Sequence, residues 1–131
     1  MPFFIEWTDE DRTVLCSGSG VVTGREILRA KETCLARPER IRNLLRATIV
    51  LSGITELEVS ADEVRRIAAL DARLASQNSQ AAVAIVAPRT SVFGIARMWE
   101  AYVVDTGWQT GVFRTLSDAE AWLEARRPRS A

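Results

Sequence analysis

The chain has no histidine, a single lysine, two cysteines and four prolines among its 131 residues. Without histidine there is no Ser-His-Asp or Cys-His nucleophile and no His-ligated metal centre. Two thiols, Cys16 and Cys34, cannot build a disulfide scaffold. Neither stands at a metal-ligand spacing, so both read as small buried hydrophobes. There is no excess of either charge. Seventeen basic and seventeen acidic residues cancel, so no global field draws in nucleic acid or an anionic membrane. No window approaches the roughly 18 consecutive apolar residues of a membrane span. Met1 to Trp7 lacks a basic leader and its apolar run stops at Glu6, which does not fit a signal peptide. A cytoplasmic setting is the expectation. No metal or other cofactor is implied.

What is present is ordinary for a globular protein: 47% apolar and 26% charged residues. A chain of this length buries about two-thirds of its unfolded surface in one core. The expectation is one domain over residues 1–125, followed by a basic tail at 126–131 that frays.

Three helix starts carry a capping-box pattern: Thr23-Gly24-Arg25-Glu26, Ser60-Ala61-Asp62-Glu63 and Ser117-Asp118-Ala119-Glu120. In each, the hydroxyl accepts from the third helical amide while the glutamate reaches back to the cap. The first helix then runs from Gly24 to about Ala36, with Ile27, Ala30, Cys34 and Leu35 on one face, Lys31 at its edge and Pro38 ending it. The second runs from Ala61 to about Ser76 and turns Val64, Ile67, Leu70 and Leu74 inward. A third begins near Thr90 or Ser91, with Val92, Ile95, Ala96, Trp99, Tyr102 and Val103 at helical spacing and Gly107 as its cap. The fourth, from Asp118 to about Arg126, buries Ala119, Trp122 and Leu123. Pro2 to Trp7 and Arg12 to Ser17 read as a hairpin turned by Thr8-Asp9-Glu10-Asp11. The continuous apolar runs Ala47 to Leu51 and Ala81 to Val86 suit interior parallel strands, and Trp108 to Phe113 is a last strand. The order β-β-α-β-α-β-α-β-α predicts an α/β domain with a mixed sheet of four or five strands packed by about four helices.

Four features carry candidate chemistry. Gly18-Ser19-Gly20 precedes a helix, the setting of a phosphate loop, but lacks the dinucleotide spacing and reads as a turn from strand to helix. Asp71 lies near the apolar stripe of the second helix; buried, it would be a site candidate, and at the edge its oxygens would meet water, which is the expectation. Between Arg25 and Arg46 there are seven basic and three acidic residues, and between Glu56 and Glu63 four acids, which reads as two solvated helix ends. Arg97, with Phe93 and Met98 on the third helix, can clamp an anionic head group while apolar neighbours hold a chain.

The stretches Val83-Ala84-Ile85-Val86-Ala87-Pro88, Val92-Phe93-Gly94-Ile95-Ala96-Arg97-Met98 and Val112-Phe113-Arg114, with Ala119, Ala121, Trp122 and Leu123, resemble the STAS-like or SpoIIAA-like group of small bacterial proteins. The resemblance reaches upstream to Gly18 and covers nearly all of the chain. It implies a fold shared with anti-sigma-factor antagonists and related to the lipid-binding CRAL-TRIO domains. Anti-sigma-factor antagonists carry a phosphorylatable serine in an Asp-Ser-Ser-Gly setting. Here Glu58 replaces the Asp, Val59 falls at the phosphoacceptor and Ala61 replaces the Gly. Ser60 is the remaining phosphorylation candidate, among Glu58, Asp62 and Glu63 that repel a phosphate.

Three functions follow as expectations. The first is a non-enzymatic regulatory or protein-binding module that works through Pro88 to Met98, with a protein partner or a second copy as its occupant. The second is a carrier or sensor of a lipid-like, apolar anionic small molecule, held between the second and third helices by Leu70, Leu74, Phe93 and Met98 with Arg97 on the anion. An enzyme ranks last, because only carboxylate, tyrosine or arginine chemistry remains.

Overall fold

A computed structural model describes residues 3–126 apart from Asp9 and Asp11. Pro2, two residues of the expected hairpin turn, and the tail beyond Arg126 lie outside the described residues. The elements are β1 (Phe3–Thr8), β2 (Thr13–Thr23), α1 (Gly24–Leu35), α2 (Pro38–Asn43), β3 (Arg46–Glu58), α3 (Ala61–Gln77), β4 (Ala82–Val86), α4 (Thr90–Val103), a 3-10 turn (Val104–Thr106), β5 (Gln109–Phe113) and α5 (Leu116–Ala125).

The strands form one mixed five-stranded sheet in the order β1-β2-β3-β4-β5. β1 pairs antiparallel with β2, and the remaining pairs are parallel. Each parallel connection passes through a helix to the neighbouring strand, which stacks α1, α3 and α4 on one face. Inward residues of that layer, such as Val64, Ile67, Val92 and Trp99, share a core with Val14, Cys16, Ile49 and Ile85 of the sheet. α5 covers the other face, where Ala119 and Leu123 pack on Ala82, Ala84 and Val86. β4 is thus buried on both sides, as its unbroken apolar run requires.

Local chemistry sets the helix starts. Thr23 and Ser60 both form full capping boxes with Glu26 and Glu63. The Glu63 carboxylate also fills the space beside Gly24, where a Cβ would stand 2.6 Å from its Cδ. The two helix N-termini therefore meet at the same end of the sheet. At the opposite end, Asn78 Nδ2 donates to the carbonyls of Ile41 (2.8 Å) and Leu44 (2.6 Å). Trp108 Nε1 donates to the Asn78 carbonyl at 2.7 Å.

Four local readings are corrected. Gly18-Ser19-Gly20 is strand, not a turn, because β2 continues along β3 past its hairpin partner. The ladder shifts register there, Gly20 takes φ +66, and a Cβ at Gly18 would stand 2.8 Å from Ile54 Cδ1. β3 likewise runs on to Glu58 rather than stopping at Leu51. Pro38 does not only end a helix; it opens α2 at a position where its missing N–H costs nothing. The last helix starts at Leu116, capped by Thr115 and not by Ser117. Thr115 Oγ1 accepts from the Asp118 amide at 3.2 Å.

Replacing Ser60 or Thr115 with Ala is expected to cost about 1 kcal/mol each, while Ser117→Ala stays within about 0.5 kcal/mol. Urea denaturation of the three variants checks this.

Candidate functional site

Each helix of the three-membered layer contributes one polar group to its apolar underside. Lys31 on α1, Asp71 on α3 and Trp99 on α4 converge between the helices and the sheet. Lys31 Nζ stands 2.9 Å from Asp71 Oδ1, with side-chain exposures of 15% and 0%. The approach is off the line of a directed hydrogen bond, which Oδ1 lacks. Asp71 Oδ2 accepts from Trp99 Nε1 at 2.7 Å. Asp71 is thus fully buried, not at a wetted edge as its wheel position suggested. Lys31, at the margin of its own apolar face, reaches in to neutralise it.

Charge placement governs the protonation of this cluster. Burial by itself would push Lys31 down; the Asp71 carboxylate, helped by Cys16, outweighs it and holds the ammonium above its usual value. Burial pushes the Cys16 thiol up to about 12, against the opposing pull of Lys31. Burial also raises Cys34, again against Lys31. Both thiols are therefore protonated and poorly nucleophilic near neutrality.

Two small apolar cavities flank Lys31. The first, about 70 Å³, lies toward the C-terminal end of β3, under Ile27, Val64, Ile67, Ile95, Ala96 and Trp99, with Leu51, Leu57 and Val59 on the sheet side. Lys31 is the one charged residue in its lining. This is the end of a parallel sheet where ligands of α/β folds bind. The second, about 40 Å³, runs toward the opposite end among Trp7, Cys16, Cys34, Leu74 and Trp108. Phe3, Lys31 and Ile49 line both and divide one from the other.

The residues singled out in the sequence do not converge on either cavity. Leu74 lines the second. Leu70 is half-buried and Met98 is 40% exposed, and neither lines either of these two cavities. Arg97 Nη1 donates to Glu100 Oε1 on its own helix at 2.9 Å. Phe93 packs on the core beneath the Arg114 guanidinium, 4.0 Å from its ring centre. Arg114 also donates to the Pro88 carbonyl at 3.1 Å, pinning the loop before α4. Ser60 Oγ accepts from the Glu63 amide at 3.1 Å and serves as the α3 cap. Tyr102 is 47% exposed and not part of the core as expected, since α4 turns it past the edge of its buried face. The group that sequence reasoning missed is Lys31 as Asp71's partner. Its signal was compositional: it is the sole lysine among seventeen basic residues.

The raised pKa values make the folded protein hold protons that the unfolded chain releases. Stability is then complete below the ordinary thiol value of 9.0 and is lost as pH rises through that value toward about 12. Lys31 and Cys34 act in the same direction. Urea midpoints are expected to be level from neutrality to pH 9.0 and to fall above it, with a smaller fall for Cys16→Val. Identical alkaline profiles for the wild type and Cys16→Val would contradict this.

No protein-family model matches the chain. No curated protein matches it either. Among solved structures, it is similar to the crystal structure of an uncharacterized protein of the DUF3478 family, with a SpoIIAA-like fold, from Shewanella loihica PV-4. The TM-score is 0.53 at 18% identity, over 92% of this chain and 91% of that one. At that identity the likeness concerns the fold alone, and the mixed sheet under its helix layer is a SpoIIAA-like fold.

Proposed function

We propose that the chain is a non-enzymatic binding module whose input is a small, largely apolar molecule held beneath α1, α3 and α4. The observation that carries this reading is the apolar cavity at the C-terminal end of β3 with one cation, Lys31, at its wall. An apolar recess with a single convergent polar group is the usual form of a small-molecule site. Lys31 has no acceptor other than Asp71 among the described residues, so its remaining N–H groups are available to a ligand oxygen. Because Asp71 already balances the ammonium, a permanently charged anion would leave a net buried negative charge. The head group that fits is an uncharged acceptor, or a carboxyl group that enters protonated. This moves the polar contact of a carrier or sensor from Arg97 to Lys31.

The size of the recess limits the ligand. At about 70 Å³ it falls well short of the roughly 300–1,000 Å³ of sites for drug-sized molecules. A short chain fits with little movement. A long acyl chain requires Phe3 and Ile49 to give way and join the two cavities. Catalysis has little support here: both thiols are held protonated and the one buried acid–base pair is mutually neutralised.

The test is a titration of the purified protein with straight-chain alcohols and carboxylates, from butanol and butanoate to octanol and octanoate. Tryptophan fluorescence and thermal midpoint are the readouts, since Trp99 lines the recess. Saturable binding that strengthens with chain length, favours the alcohols and disappears in Ala96→Leu is expected. Lys31→Met is expected to weaken it at least tenfold, about 1.4 kcal/mol. Absence of saturation, or indifference to Ala96→Leu, would sink the reading.

A further inference from the structure

Of the buried ion pair, only Lys31 reaches the cavity walls. Asp71 lines neither cavity. It is fully buried, with Oδ2 held by the Trp99 indole at 2.7 Å and Oδ1 at 2.9 Å from the ammonium. A molecule in the recess therefore meets a cation whose counter-charge is already in place and is not displaced by the ligand.

Few other groups act on that cation. Asp71 comes from α3, Cys16 from β2 and Cys34 from α1 itself. α4 contributes the Trp99 indole, and β1 and β3 contribute Phe3 and Ile49, none of which titrates. Burial keeps both thiols protonated near neutrality. Arg40 acts on Cys34 but is not among the groups that act on Lys31. One cation and one anion thus cancel, and no second cation is in play. The rest of the wall is apolar side chains. A carboxylate that entered would add an uncompensated negative charge there. A carboxyl group so placed takes up a proton rather than stay ionised.

We propose that the recess takes weak monocarboxylic acids in their undissociated form, with uptake of a solvent proton by each molecule bound, and that Asp71 imposes this through Lys31. The proposal rests on reading the recess as a small-molecule site and names the charge state of its ligand. Asp71 is a positioning residue here, since it does not touch the ligand. The balance is simple: the free carboxylate and a proton from water become the bound neutral acid, and no bond to the protein forms. The carboxyl C=O accepts from an N–H of Lys31. A free carboxylic acid is almost wholly ionised above about pH 6. Affinity per total acid therefore falls about tenfold for each further pH unit. A matched alcohol has no proton to gain and shows no such fall. Occupancy then reports acid and proton together.

Calorimetric titration of the full chain with hexanoate and with hexanol, in buffers of unlike ionisation enthalpy, tests this. About one proton is expected to be taken up per hexanoate between about pH 6 and 7.5, and none per hexanol. Asp71→Asn keeps an acceptor for Trp99 Nε1 but removes the counter-charge. Folded by circular dichroism, it is expected to bind hexanoate as the anion, without proton uptake and with an affinity level in pH. Hexanoate binding to the wild type without proton uptake would overturn the proposal, whatever the fate of the variant. So would a folded Asp71→Asn that still takes up a proton, which would make Asp71 merely structural. Hexanol binding with no hexanoate binding even at about pH 5 would overturn it too, and leave the small-molecule reading standing. If neither ligand binds, both fall.

Discussion

A charge in the middle of an apolar layer is tolerated only if it is paired where it lies. Asp71 is fully buried on the apolar stripe of α3, and leaving its carboxylate alone would cost several kcal/mol. The protein meets that constraint from both sides, with the Lys31 ammonium from α1 and the Trp99 indole from α4. One side chain on the central helix therefore fixes the rotation and the distance of both neighbours. Hydrophobic packing alone would allow the helices to slide; a carboxylate with two specific partners does not.

The same pair shapes what the interior can accept. Lys31 divides the two apolar cavities and belongs to the lining of both. Its charge is balanced by Asp71, 2.9 Å away. The neighbouring thiols are drawn into the same field, and Lys31 opposes their burial without overcoming it. The inner face of α4 closes the recess through Ile95, Ala96 and Trp99.

The legible parts of the fold were those encoded within a few residues. The capping boxes at Thr23 and Ser60 needed only a hydroxyl and a glutamate three positions on, and both are realised. The buried run of β4 and the helical stripe of α4 were equally local. Reading failed where the choice depended on distant chain. Thr115 and Ser117 both offer a hydroxyl, and where β5 delivers the backbone decides between them. Gly18-Ser19-Gly20 is permissive enough for a turn, yet β3 alongside draws it into a strand. Lys31 and Asp71 are forty positions apart in sequence, so no local pattern pairs them. A helical wheel sees each as a polar residue at the edge of an apolar face.

A double-mutant cycle on folding stability, with Lys31→Met and Asp71→Leu separately and together, is the most direct measurement of that constraint. Each single change is expected to destabilise by about 3–5 kcal/mol, because it strands or removes a buried charge, while the double variant returns to within about 1–2 kcal/mol of the wild type. Single variants that each cost less than about 1 kcal/mol, with no coupling between them, are the behaviour of an exposed pair and would contradict the buried pair as the organising interaction.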